Sequence, residues 1–256
     1  MPYAHLPGVE LWYEDTGGGG VPVVFIHAAA GSSESWVNQV PAFTAAGLRC
    51  ITYDLRGWRK SKATAEAVGT THLSDDLESL VRHLGLDRFL LVATAYGGFG
   101  GLDYALRFPP RLRAFVLSSS QGGLEDPDYV AIRQRILPPE FQRLAIELRE
   151  LGPSYRVTDP EGTRRWLEII HEGGGETGPR QPLYTRIMLR TLESLTVPTL
   201  MVSGNADLLS PPALMRIMAA RIPGCRLATI PEAGHSAYWE RPTDWNRVVL
   251  EFLLQH

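Results

Sequence analysis

Cysteine is scarce, two in 256 residues, which leaves no disulfide framework. Cys50 and Cys225 stand in apolar strand-like runs rather than at the close spacings that hold a metal. They read as buried free thiols of a reducing compartment, and neither a metal nor a cofactor is expected. No apolar run reaches the roughly 18 residues a membrane-crossing helix needs, and Met1 to Val9 carries no cationic and apolar stretch of signal-peptide length. The expectation is a cytoplasmic protein with no membrane partner. Charge of one sign is not concentrated either. Lys and Arg number 25 against 28 Asp and Glu, a net charge of −3 without a like-charge block, so no basic surface awaits a phosphate backbone and nucleic acid is not an expected partner.

What is present is an ordinary globular composition, 44% hydrophobic and 21% charged, in a chain long enough to bury one large core. Against a soft prior of roughly 150 residues per domain, this is one domain carrying an insertion. Short β-rich runs at Val21–Ile26, Leu48–Tyr53, Phe89–Ala93, Leu112–Leu117, Thr199–Val202 and Leu227–Ile230 are almost continuously apolar, the mark of strands covered on both faces. Between them, Leu77, Leu80, Val81 and Leu84 fall at i, i+3, i+4 and i+7, as do Trp245, Val248, Val249 and Phe252, each one apolar stripe of a helix. This βα alternation predicts an α/β fold, a doubly wound and mostly parallel sheet with its ligand crevice at the carboxyl ends of the strands.

The alternation stops once. Residues 121–195 show helical patterns at Tyr129–Leu151 and Thr163–His171 but no strand-like run, and Pro138-Pro139, Pro153, Pro160, Gly173–Gly175 and Pro179 break them into short helices. The predicted organisation is a core of residues 1–120 and 196–256 with a helical cap of 121–195. Ten Arg and twelve acidic residues in that interval nearly balance. With aromatics such as Tyr129, Phe141, Trp166 and Tyr184, they lead to the expectation of a mostly apolar pocket for a neutral or weakly charged small molecule. Gly17–Gly20 reads as a turn.

The most informative segment is Leu90–Arg113, LLVATAYGGFGGLDYALRFPPRLR, a strand entering a small-residue turn and then a helix. Ala93 and Gly97 flank Ala95 at two residues on either side, as a sharp strand-to-helix turn requires if its central residue is to be held in a strained conformation above the sheet. Its spacing matches neither a dinucleotide fingerprint nor a P-loop.

This segment resembles the nucleophile elbow of the α/β-hydrolase fold superfamily, Gly-x-Ser-x-Gly-Gly, and four further segments resemble that family in the same order. Val23–Trp36, VVFIHAAAGSSESW, is similar to its strand and His-Gly loop, with Ala28 where glycine is usual. Tyr53–Ser61, YDLRGWRKS, is similar to its Asp-x-Arg-Gly-x-Gly-x-Ser turn, with Arg59 in place of the second glycine. Leu200–Asp207 resembles the strand and Gly-x-x-Asp that supply the triad acid, and Pro231–Leu253 the Gly-His, Glu-x-Pro and final helix that carry the triad base.

The resemblance implies a hydrolase in which Asp207 orients His235 and His235 takes the proton of a hydroxyl nucleophile. The nucleophile position itself is Ala95, a methyl group. Thr94 is adjacent, but a strand step turns it to the opposite side. Ser32, Ser33, Ser118, Ser119 and Ser236 read as caps or turns, and Glu232 and Glu240 as solvated carboxylates.

Two explanations compete. One is a Ser-His-Asp hydrolase of small esters or lactones that has lost its nucleophile and traps substrate. The other is a ligand-binding module or a Ser-independent proton-transfer enzyme, lyase or cofactor-free oxygenase, with His235 as base. A complete base-acid pair beside one missing oxygen favours the first. The family's carbon-carbon hydrolases and cofactor-free dioxygenases place an aromatic residue after the histidine, where this chain has Ser236.

By the same resemblance, the backbone NH groups of Ala29 and Tyr96 form the oxyanion hole. His27 and, from the aromatics of the insertion, Trp166 and Tyr184 are the candidate substrate contacts. The expected partner is a small-molecule substrate, and the reading allows a homodimer.

Overall fold

Five runs of Val, Ile, Leu and Phe form the parallel centre of the sheet because each can bury both faces. A computed structural model describes residues 3–64, 67, 69–173, 178 and 180–256. Its strands are β1 (Tyr3–Leu6), β2 (Val9–Asp15), β3 (Pro22–Ile26), β4 (Arg49–Tyr53), β5 (Lys62–Ala63), β6 (Phe89–Thr94), β7 (Leu112–Ser118), β8 (Thr199–Gly204) and β9 (Arg226–Ile230). They are ordered β1-β2-β4-β3-β6-β7-β8-β9, with β5 beside β2. From β4 to β9 every pairing is parallel, while β1, β2 and β5 add an antiparallel flank. The chain is therefore α/β with a mostly parallel sheet.

Successive residues of β3 show how the sheet divides the core. Val23 and Phe25 pack into one apolar cluster with Trp36, Phe43, Trp245 and Phe252, while Val24 and Ile26 pack into another with Leu77, Leu80, Leu102 and Met218. The period of two along a strand sends alternate side chains to opposite faces, and each face needs its own helices.

Those helices are α1 (Val40–Ala45), α2 (Leu73–His83), α3 (Gly97–Arg107), α4 (Pro127–Ile136), α5 (Ile146–Glu150), α6 (Pro153–Thr158), α7 (Pro160–Glu172), α8 (Leu189–Leu192), α9 (Pro212–Ala219), α10 (Ala237–Glu240) and α11 (Pro242–Leu253). Leu77, Leu80 and Val81 of α2 and Trp245, Val249 and Phe252 of α11 are buried, as their spacing requires. Between β7 and β8 the described residues form α4 to α8 and a 3₁₀ turn at Pro139–Arg143. Pro127, Pro139, Pro153 and Pro160 each begin a helix or turn there, since proline lacks the NH that a first turn does not use. Gly174, Gly175 and Pro179 lie outside the described residues.

Two expectations from the sequence need correction. Leu227–Ile230 is not covered on both faces: β9 is an edge strand and only Ile230 of it is buried. Cys225 accordingly precedes the strand and is half-buried, whereas Cys50 in β4 is buried. No helix among the described residues is long and apolar enough to cross a membrane.

Candidate active site

The site begins with backbone strain. Ala95, between β6 and α3, has φ 48°, a left-handed conformation that a residue with a Cβ adopts at a cost. Its NH donates to the Ser118 carbonyl at 3.0 Å, and its own carbonyl accepts the Ser120 hydroxyl at 2.6 Å. The turn is pressed so close to β3 that a Cβ on Gly97 would lie 2.4 Å from the His27 carbonyl oxygen. Glycine at 97 is a requirement of that approach.

Asp207 and His235 arrive from the ends of β8 and β9. The Asp207 carboxylate is buried and accepts the backbone NH groups of Leu209 at 2.8 Å and Ser210 at 2.7 Å, which fix its orientation. His235 donates from Nδ1 to the same carboxylate, at 2.9 and 3.0 Å to the two oxygens. The loop carrying His235 lies against the end of β8, where a Cβ on Gly204 would sit 2.1 Å from the Ala233 carbonyl oxygen. Burial works against the His235 charge, but Asp207, Glu150 and Glu240 outweigh it and raise the imidazole to about 9. Burial likewise opposes ionisation of Asp207. The imidazole and the two backbone NH groups prevail and hold it below the usual carboxylate range.

Ala95 and His235 share the wall of one cavity of about 1030 Å³ with Ala29 and Tyr96. Among the described residues, neither the Ala29 nor the Tyr96 backbone NH meets a backbone carbonyl. The Tyr96 ring lines the cavity and also packs, stacked on Trp58 at 5.8 Å, with its hydroxyl accepting the Gln181 NH at 2.8 Å.

The other side chains expected at the substrate lie elsewhere. His27 is wholly buried; its Nδ1 donates to the Ala28 carbonyl at 2.6 Å and its Nε2 accepts the Leu55 NH at 2.9 Å. With both nitrogens engaged and burial lowering its pKa, it braces the loop after β3. Trp166 is buried on α7 within the core. Tyr184 is 63% exposed and lies against the Arg107 guanidinium at 4.0 Å. None of the three is in the cavity wall. By area the wall is mostly apolar, as the sequence suggested, but Arg133, Arg149, Arg180, Glu125 and Glu150 also contribute to it.

Glu240 is not solvated either. It is 4% exposed, and its carboxylate accepts the Gly152 NH at 2.7 Å and the Gly234 NH at 2.9 Å. Burial pushes it up to about 7 against the pull of those two amides. Glu232 is exposed and pairs with Arg241. Ser32 caps the 3₁₀ turn at Ser33–Trp36, and the Ser118 hydroxyl accepts the Trp245 indole NH at 3.1 Å. Ser119 differs from the expected turn or cap: it lines the cavity with φ 44° and a buried hydroxyl that has no partner. Arg59, standing where a glycine was usual, adopts φ 40° and is held by ion pairs to Glu34 and Glu172. Among the described residues, no group of three or more His, Cys, Asp or Glu converges to hold a metal ion.

Residues 21–148, half of the chain, match the family model described as alpha/beta hydrolase fold. The chain belongs to that family. It is 28% identical to a Mycobacterium tuberculosis protein described as a non-heme bromoperoxidase, over 95% of this chain and 97% of the relative. It is 25% identical to a 2-hydroxy-6-oxononadienedioate/2-hydroxy-6-oxononatrienedioate hydrolase of Cupriavidus pinatubonensis, over 93% and 89%. Among solved structures, a thermophilic esterase from Thermogutta terrifontis superposes with a TM-score of 0.79 at 26% identity, covering 100% of this chain and 97% of the esterase. In this α/β-hydrolase fold, the strained turn between β6 and α3 carries a methyl group at Ala95 and no hydroxyl.

Proposed function

We propose that the chain is a hydrolase of small carboxylic esters or lactones in form, with Asp207 and His235 as acid and base and Ala95 at the nucleophile position, so that as written it binds substrate without cleaving it. The observation that carries this is the His235–Asp207 pair at 2.9 Å sharing a cavity wall with a left-handed Ala95. Strain at a residue with nothing reactive on it is costly and otherwise idle.

In a chain bearing serine at 95, the hydroxyl attacks the ester carbonyl while His235 Nε2 takes its proton. The Asp207 carboxylate stabilises the imidazolium, and the backbone NH groups of Ala29 and Tyr96 receive the oxyanion. The acyl group passes to serine, His235 returns the proton to the departing alcohol, and water attacks the acyl-enzyme by the same route. With Ala95 the first bond cannot form. The esterase among the relatives supports this class of reaction, while the dienedioate hydrolase, which cleaves a carbon-carbon bond, supports hydrolysis only in general. The carbon-oxygen assignment follows from Ser236, which follows His235 where carbon-carbon hydrolases place an aromatic residue.

The test is Ala95→Ser assayed on aryl esters and lactones. Loss of the serine in such a site costs on the order of 10⁶ in rate, against a residual 10³ to 10⁴ over water from the oxyanion hole and binding. The variant should therefore gain several orders of magnitude in turnover, and Ala95→Ser/His235→Ala should lose that gain. No gain on any ester or lactone overturns the reading.

A further inference from the structure

The inner end of the cavity is supplied with donors. The Ala29 and Tyr96 amides have no backbone acceptor among the described residues. Tyr96 is the N-cap of the 11-residue α3, so the positive end of that helix's dipole faces the same point. His235 is 6% exposed and lines the cavity; Asp207 occupies its Nδ1, leaving Nε2 on the far side of the ring. The Ser119 hydroxyl, also in the wall, is buried without a partner. Beside these donors stands the Ala95 methyl, neither donor nor acceptor. Farther along the wall three guanidinium groups, Arg133, Arg149 and Arg180, stand against two carboxylates, and Glu125 of those is paired with Arg186 at 3.3 Å.

We propose that the chain as written is a receptor for a small carboxylic acid, its carboxylate held between the Ala29 and Tyr96 amides and the His235 imidazole, against the Ala95 methyl. The proposal rests on the hydrolase reading to the extent that the acid is the acyl half of the ester the cavity would accept. It goes further in making the acid, rather than the ester, the preferred ligand.

An ester carbonyl can take the two amides, but its alkoxy oxygen is a poor acceptor and leaves Nε2–H without a partner. A carboxylate has two equivalent oxygens with about four lone-pair directions, enough for the amide pair and the imidazolium together. Hydrogen bonds between ionised partners are roughly twice as strong as neutral ones. The imidazolium is the form present at neutral pH, since Asp207, Glu150 and Glu240 all face His235 and hold its proton to about 9. Arg149 adjoins Glu150 in the same wall. In a chain with serine at 95, the hydroxyl would occupy Nε2.

The experiment is calorimetric titration of the full chain with benzoate and butyrate, each against its methyl ester, at pH 7 and pH 10. It is repeated on His235→Gln and on Arg133→Gln, with thermal unfolding to verify that both variants are folded. Each acid should bind about ten- to a hundredfold more tightly than its ester at pH 7, the range expected of one charge-assisted hydrogen bond. That preference should collapse at pH 10 and in folded His235→Gln, while Arg133→Gln keeps most of it. The His235 ring, followed by NMR, should titrate at higher pH with benzoate bound. Equal affinity for acid and ester, no binding of either acid, or a preference that survives His235→Gln but not Arg133→Gln would overturn the proposal. Failure of the hydrolase reading shows separately, as an inactive Ala95→Ser whose parent still prefers acids.

Discussion

The backbone carbonyl of Glu150 accepts the backbone NH of His235 at 2.7 Å. The end of α5, in the helical segment between β7 and β8, therefore holds the loop that presents the imidazole. A second tie runs beside it, where the Glu240 carboxylate bridges Gly152, just after α5, to Gly234, just before His235.

Glu240→Ala should leave two buried amides without acceptors, each at a cost of roughly 1–3 kcal/mol. Urea unfolding should show that loss. In the Ala95→Ser background the same change should lower kcat more than it raises KM, because the loop it releases carries the base rather than the substrate contacts. Glu240→Gln, which keeps one acceptor oxygen, should recover part of both.

The strained turn at Ala95 makes an unusual pair of substitutions informative. Ala95→Gly removes only a half-buried methyl and relieves φ 48°. Unfolding free energy should stay within about 1 kcal/mol of the parent or rise, although glycine loosens the unfolded chain. Gly97→Ala, whose new Cβ would meet the His27 carbonyl oxygen at 2.4 Å and that of Ile26 at 2.7 Å, should destabilise by about 1–3 kcal/mol or more. Denaturant midpoints of the two variants should move in clearly different directions or by clearly different amounts.

Stability should also respond to pH through His235. Its imidazole titrates from about 9 in the fold against 6.5 for the free side chain, so the unfolded chain releases the proton first as pH rises. The contribution is complete below pH 6.5 and is lost as pH rises through about 9. The unfolding midpoint of the chain should fall across that window, and His235→Gln should flatten the fall. For the same reason, esterase activity of Ala95→Ser should climb toward pH 9, as the base loses its proton.

Much of this architecture is legible in the sequence because it is encoded locally. The apolar runs of β3, β4, β6, β7 and β8 and the stripes of α2 and α11 repeat at the periods of their own backbones. The turn at Ala95 announces itself through small residues two positions to either side. The positions of Asp207 and His235 can be read from the short motifs around them, since each sits just after a strand and strand ends in a parallel sheet gather at one edge.

What only the tertiary structure decided concerns directions of side chains and partners distant along the chain. His27 stands beside the site in sequence, yet both its nitrogens are spent on the Ala28 carbonyl and the Leu55 amide. Trp166 and Tyr184 belong to the segment between β7 and β8, yet one packs in the core and the other lies against Arg107. Glu240 was visible in its Glu-x-Pro motif, but its buried amide partners depend on Gly152, 88 positions away. The charged groups in the cavity wall come from separate segments, Glu125 before α4, Arg133 on α4, Arg149 and Glu150 on α5 and Arg180 in the stretch before α8, and no pattern within any one of them says that it will meet the others.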